Sequence, residues 1–297
     1  MAPGLPIPCF LRREEQPTPL PREPKRLPPG HLHWHRIKVD GRPAVYGAAG
    51  EGPPVIFLHG WGLGHHAYKR PLARLALRGC RVLAPAMPGF GGTGPLPVND
   101  DIHAFGAWVN AFMDAVGVDE PAIVMGHSFG GGVSIALAHD YPSRVKQLIL
   151  VNAVGGAVWG AGDKELADRM LWQWGFEFAK ELWPPQKGLR AFWSVREDMF
   201  ENMRRNPSAM LAAGMLAANA DLRTELAELR ARELPVVVMT GQSDGVIPLS
   251  AMDAMCAALG IEGQVLRGNH SWLLTDPDAF DEVMANVVQL QAKLGED

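Results

Sequence analysis

Hydrophobic positions in this chain gather into short runs, separated by glycine-rich turns and by segments with helical spacing. The runs are PVIFLHG (54–60), CRVLAPAMP (80–88), PAIVMGHS (121–128), VKQLILVN (145–152), PVVVMTGQSD (235–244) and GQVLRGNH (263–270). A half-exposed strand alternates apolar with polar residues, whereas the cores of these runs are consecutive apolar residues without that alternation. They predict strands buried on both faces, hence a parallel sheet covered by helices. Ahead of them, HWHRIKVDG and RPAVYGAAG meet at Asp40-Gly41, a tight-turn pair, and predict an antiparallel hairpin. Helices are predicted at about 67–78, 101–117, 129–140, 249–259 and 277–294, the last opening at Asp276-Pro277.

One interval breaks this rhythm. Between Asn152 and Leu234 no strand is predicted, and the stretch holds Trp159, Trp172, Trp174, Trp183 and Trp193 with Phe176, Phe178, Phe192 and Phe200. Its second half is rich in strong helix formers. A helical insertion between two strands of a parallel sheet predicts a lid over the strands' carboxyl ends, where such sheets bind ligands. Residues 1–32 are crowded with proline, which fixes φ and removes backbone donors. This extension is expected to lie extended on the surface, to be disordered, or to dock through Leu5, Ile7 and Phe10. The expected organisation is thus an extension at 1–32, a core at 33–154 and 234–297, and a helical cap at 155–233.

Composition narrows the function. The 297 residues are 47% hydrophobic and 20% charged, which is globular, and the formal net charge of -4 argues against a nucleic-acid surface. Three cysteines (Cys9, Cys80 and Cys256) are too few and too dispersed for a disulfide framework or a zinc site. No apolar run approaches the roughly 20 residues of a membrane span. The N-terminus lacks a basic start followed by an unbroken apolar stretch, so a cytoplasmic location is the expectation. Oligomeric state is not legible.

The chemistry centres on Gly126-His127-Ser128-Phe129-Gly130, placed after a buried run and before a helical pattern. G-x-S-x-G in a strand–turn–helix context presents a serine on a sharp turn, with helix N–H groups aimed at the reacting oxygen. A serine hydroxyl needs a base, and the base needs an orienting acid. Among ten histidines, His270 stands in the loop after the last run, at the sheet's carboxyl edge. Asp244 ends the run before it, completing the chain order Ser, Asp, His; the preceding strand ends in Asn152, which offers no rival carboxylate. Ser128, His270 and Asp244 are therefore the expected nucleophile, base and acid. His59-Gly60-Trp61-Gly62 follows another buried run, and the backbone N–H groups of Trp61 and Phe129 are the expected oxyanion donors.

VIFLHGWG, PGFGGTG (88–94), GHSFGGG, GQSDGVIP and GNHSW together resemble the α/β-hydrolase superfamily from about residue 35 to 297. The resemblance implies an eight-stranded, mostly parallel sheet with a helical cap, and acyl-enzyme chemistry in which water activated by His270 releases the acid. Epoxide hydrolases and haloalkane dehalogenases share the layout but carry aspartate at the place of Ser128. The expected activity is hydrolysis of a small or medium apolar carboxylic ester or lactone. Carbon–carbon hydrolysis of ring-cleavage products or cofactor-free haloperoxidase chemistry is the alternative, and a non-catalytic ligand-binding protein a third reading. No P-loop, dinucleotide fingerprint or metal spacing occurs, so no cofactor or metal is implied.

Overall fold

Eight strands form one sheet in the order β1-β2-β4-β3-β5-β6-β7-β8. They are β1 (His33–Val39), β2 (Arg42–Ala49), β3 (Pro54–Leu58), β4 (Arg81–Pro85), β5 (Ala122–His127), β6 (Val145–Val151), β7 (Val236–Gly241) and β8 (Gln264–Leu266). The computed structural model describes residues 30–64, 66–96, 101–156 and 189–294. β1 and β2 pair antiparallel around the predicted Asp40-Gly41 turn, and β2 pairs antiparallel with β4. Every other pairing is parallel. The helices are α1 (Lys69–Leu77), α2 (Ile102–Ala115), α3 (Phe129–Asp140), α4 (Leu189–Arg205), α5 (Pro207–Ala218), α6 (Arg223–Ala231), α7 (Leu249–Leu259), α8 (Trp272–Thr275) and α9 (Pro277–Leu294).

The apolar runs supply both faces, as a strand's alternating side chains require. Ile56, Leu58, Val124, Leu148 and Leu150 pack with α2 and α3 on one side. Val55, Phe57, Ile123, Met125, Ile149 and Val151 pack with Leu72, Leu75, Phe280 and Met284 on the other. The last run departs from its prediction: only Gln264–Leu266 forms a strand, and Val265 is 52% exposed. β8 is an edge strand, with one neighbour and little cover, so its apolar content never reflected burial. The extension to residue 29 and the aromatic stretch at 157–188 lie outside the described residues.

Helix α3 runs through the core with Phe129 to Ala138 all buried. It tolerates three successive glycines, each costing roughly 0.5–1 kcal/mol of helix propensity relative to alanine. The compensation is close approach to the sheet. A Cβ on Gly130 would stand 2.2 Å from the Leu58 carbonyl oxygen, and one on Gly126 would stand 2.3 Å from the Gly130 oxygen. Those two glycines bracket Ser128. After β6, helices α4 and α5 sit against the loops that follow β3 and β4, while α6 packs on α3 and α7. Among the described residues no helix is long and apolar enough to cross a membrane.

Candidate active site

Ser128 occupies the turn between β5 and α3 with φ 53° and ψ -120°. For a residue with a Cβ this is strained backbone, of order 1–3 kcal/mol, held here by the packing around it. Its N–H donates to the Val151 oxygen at 3.0 Å, and its own carbonyl accepts from Gly131 and Val154. The strand and helix cannot relax the turn without breaking these bonds. Phe129 begins α3, so its N–H has no intrahelical partner. Among the described residues neither this N–H nor that of Trp61 donates to a protein acceptor.

Asp244 and His270 meet as predicted, with Nδ1 of His270 at 2.9 Å from Oδ2 of Asp244. A carboxylate only accepts, so Nδ1 carries the proton and Nε2 the lone pair of the neutral ring. The other carboxylate oxygen of Asp244 accepts from the N–H groups of Val246 and Ile247, both at 2.8 Å. Burial pushes Asp244 up, but the neighbouring His270, the amide of Asn152 and the Ile247 N–H outweigh it and hold the carboxyl below its ordinary range. The structure does not join Ser128 to His270 by a hydrogen bond among the described residues; apo sites commonly leave this contact loose.

Asn152 does more than leave room. Its amide donates to Oδ2 of Asp244 at 2.5 Å, and its carbonyl oxygen accepts from Nε1 of Trp272 at 2.9 Å. It sits at φ 46°, a conformation asparagine tolerates better than most residues.

A second set of buried groups escaped the sequence reading. Nε2 of His127 lies 2.9 Å from the carbonyl oxygen of His270, so it must donate there. Nδ1 of His127 then accepts from the Tyr68 hydroxyl at 2.8 Å, and that hydroxyl accepts from the Gly60 N–H at 3.0 Å. Every bond in this chain has one allowed direction. It connects the loop of the base, the residue before the serine, and the residue before Trp61. Next to it, Nε2 of His59 accepts from the Met87 N–H at 2.9 Å, leaving Nδ1–H to donate to the Gly60 oxygen. Burial lowers both rings: His127 to about 3, with repulsion from His270 adding to the effect when that ring is protonated, and His59 to about 4. Both are neutral at pH 7. The only hint in the sequence was their position inside the two glycine motifs.

The loop bearing Trp61 is clasped by the helices above it. Nε1 of Trp61 donates to the Met210 carbonyl at 2.7 Å. The buried Asn202 donates to the carbonyls of Gly62 and Leu63 and accepts from the Gly91 N–H. Asp198 accepts from Gly64 and Ala67, and burial raises its pKa.

The α/β-hydrolase fold family profile matches residues 53–276. This chain belongs to the α/β-hydrolase family, and hydrolases and esterases are among its relatives. A pimeloyl-[acyl-carrier protein] methyl ester esterase of Aromatoleum aromaticum is 29% identical over 266 residues, covering 80% of this chain and 98% of that one. A 2-hydroxymuconate semialdehyde hydrolase of Pseudomonas sp. strain CF600 is 31% identical over 220 residues, covering 68% and 74%. Among solved structures, a bromoperoxidase from Bacillus anthracis superposes with TM-score 0.71 at 19% identity, covering 86% of this chain and all of that one.

Proposed function

We propose that this hydrolase cleaves a carboxylic ester or lactone of a small to medium apolar acyl group through an acyl-enzyme intermediate. Ser128 is the nucleophile, His270 the base and Asp244 the acid that fixes its tautomer. Ser128 Oγ attacks the carbonyl carbon as Nε2 of His270 takes its proton. The alkoxide leaves with that proton, and water activated by the same nitrogen releases the acid. The N–H groups of Trp61 and Phe129 stabilise the oxyanion, each worth roughly 2.7–4 kcal/mol. The observation that carries this reading is the strained turn at Ser128, beside a buried His270–Asp244 pair of one possible polarity. Helices α4 and α5, which clasp the Trp61 loop, act as a lid that shapes the acyl pocket.

The test is fluorophosphonate labelling with a p-nitrophenyl ester chain-length series. Ser128→Ala should abolish labelling and lower turnover on the order of 10⁴- to 10⁶-fold. Labelling that persists, or that maps to Ser134, would refute the assignment. Carbon–carbon hydrolysis is the second reading, favoured by the semialdehyde hydrolase at 31% identity. Vinylogous diketones turned over faster than simple esters would select it.

A further inference from the structure

At the far end of α3 from Ser128, two imidazoles and three carboxylates converge from three helices. His103 belongs to α2, His139 and Asp140 to the end of α3, and Glu225 and Glu228 to α6. Nδ1 of His103 lies 2.8 Å from one Asp140 oxygen, and Nδ1 of His139 lies 2.7 Å from the other. On the opposite edges of the rings, Nε2 of His103 faces Glu225 at 3.4 Å and Nε2 of His139 faces Glu228 at 3.1 Å. All four ring nitrogens therefore point at oxygens that only accept.

A neutral imidazole has one N–H, so two neutral rings cannot satisfy four carboxylate contacts. Two lone pairs would be left facing anionic oxygens. The cluster needs two more positive charges, and the nearby Arg232, which donates to Glu228 and to the His139 carbonyl, is already engaged. A divalent cation between the Nδ1 atoms and Asp140 supplies both charges at once. Each Nε2–H then donates to its glutamate, the carboxylate–histidine–metal arrangement that orients imidazole ligands. One donor atom from each of His103, His139 and Asp140 already lies within 4.8 Å of the other two. Around a tetrahedral ion with bonds near 2.1 Å such atoms stand about 3.4 Å apart, a closure of at most about 1.4 Å.

We propose that His103, His139 and Asp140 bind one borderline divalent ion, Zn²⁺ or a close chemical relative, with Glu225 and Glu228 holding the rings. The donor set of imidazole and carboxylate selects zinc, cobalt, nickel or copper over calcium and magnesium. The site lies about 16 Å along α3 from the serine, so its role is to clip α2, α3 and α6 together. No sequence spacing announces it, because its ligands come from segments far apart in the chain.

The test uses the full chain stripped of metal with chelator. Co²⁺ should give a visible spectrum that saturates at one equivalent and is displaced by Zn²⁺, and Zn²⁺ should raise the melting temperature without changing ester turnover. The double variant His103→Ala/His139→Ala should lose the spectrum and the thermal shift. Glu225→Gln, which keeps shape, should weaken binding by about 10- to 100-fold and guards against a double variant that does not fold. Three results would overturn the proposal: no saturable Co²⁺ spectrum in the parent, equal Zn²⁺ affinity in parent and variants, or Mg²⁺ and Ca²⁺ binding as tightly as Zn²⁺.

Discussion

Replacing Tyr68 by phenylalanine removes one oxygen from a fully buried ring and orphans two groups. Nδ1 of His127 loses its donor, and the Gly60 N–H loses its acceptor. Tyr68, His127 and His59 are all at most 1% exposed, so bulk water does not reach them. Each stranded buried group costs about 1–3 kcal/mol, which places the loss of stability for Tyr68→Phe at about 2–6 kcal/mol. The kinetic effect travels by another route. Gly60 adjoins Trp61, and if the Trp61 N–H is the oxyanion donor as proposed, its displacement forfeits part of the roughly 2.7–4 kcal/mol that one donor contributes. The expected outcome is kcat lowered about 10- to 100-fold with KM within about threefold, because the donor acts in the transition state. Urea denaturation, p-nitrophenyl ester kinetics and long-range ¹H–¹⁵N correlation spectra of His127 read the three consequences separately. A variant with parental stability and kcat, whose His127 still carries its proton on Nε2, would refute the proposed coupling.

Ser128→Gly should unfold at higher denaturant than Ser128→Ala by about 1 kcal/mol while both lack turnover, since glycine alone relieves the positive φ; equal midpoints would count against stored strain. Asn152→Asp keeps the shape and the left-handed backbone but sets a second carboxylate against Asp244. One of the pair should then hold a proton at neutral pH, and the acid limb of the pH–rate profile should move upward; an unmoved limb would show that the amide does not act on Asp244. His59 and His127 have folded pKa values depressed to about 4 and about 3 from an unfolded 6.5. Their contribution to stability is full above pH 6.5 and falls as pH drops toward those values, because the unfolded chain takes up protons first. Each contributes up to about 1.4 kcal/mol per pH unit across that window. Urea midpoints measured from pH 7.5 down to 4.5 should decline; a flat series would contradict the neutral assignment.

The strands and the turn at Ser128 were legible because their causes are local. A run such as PVIFL or AIVM is apolar for its whole length where both faces are covered, and Gly126 and Gly130 mark places where a Cβ would strike backbone oxygen. The Asp40-Gly41 hairpin and the Asp276-Pro277 helix start were legible for the same reason. The sheet order was not, since no run states its neighbour. GQVLRGNH misled because β8 lies at the edge, where apolar residues are tolerated without being buried. Asn152, Tyr68 and His127 went unread as partners because a hydrogen bond across 59, 92 or 143 residues leaves no spacing in the chain. Asn152 was noted only for lacking a charge, yet its amide makes the closest contact to Asp244.

Trp61 belongs to two structures at once. Its backbone stands where the oxyanion is proposed to form, and its indole is held by the Met210 carbonyl of α5, while Asn202 of α4 grips the carbonyls of the next two residues. Exchange of parts between relatives is constrained accordingly. Transplanting the helical insertion of a relative onto this sheet would leave residues 61–64 and 89–91 docked to strangers, whatever acyl preference it carried across. Such a chimera should inherit a mismatched rate until those short loops are moved with the helices. If these helices set acyl preference as proposed, the unit of selectivity in this chain is discontinuous: two core loops and two later helices that work as a set.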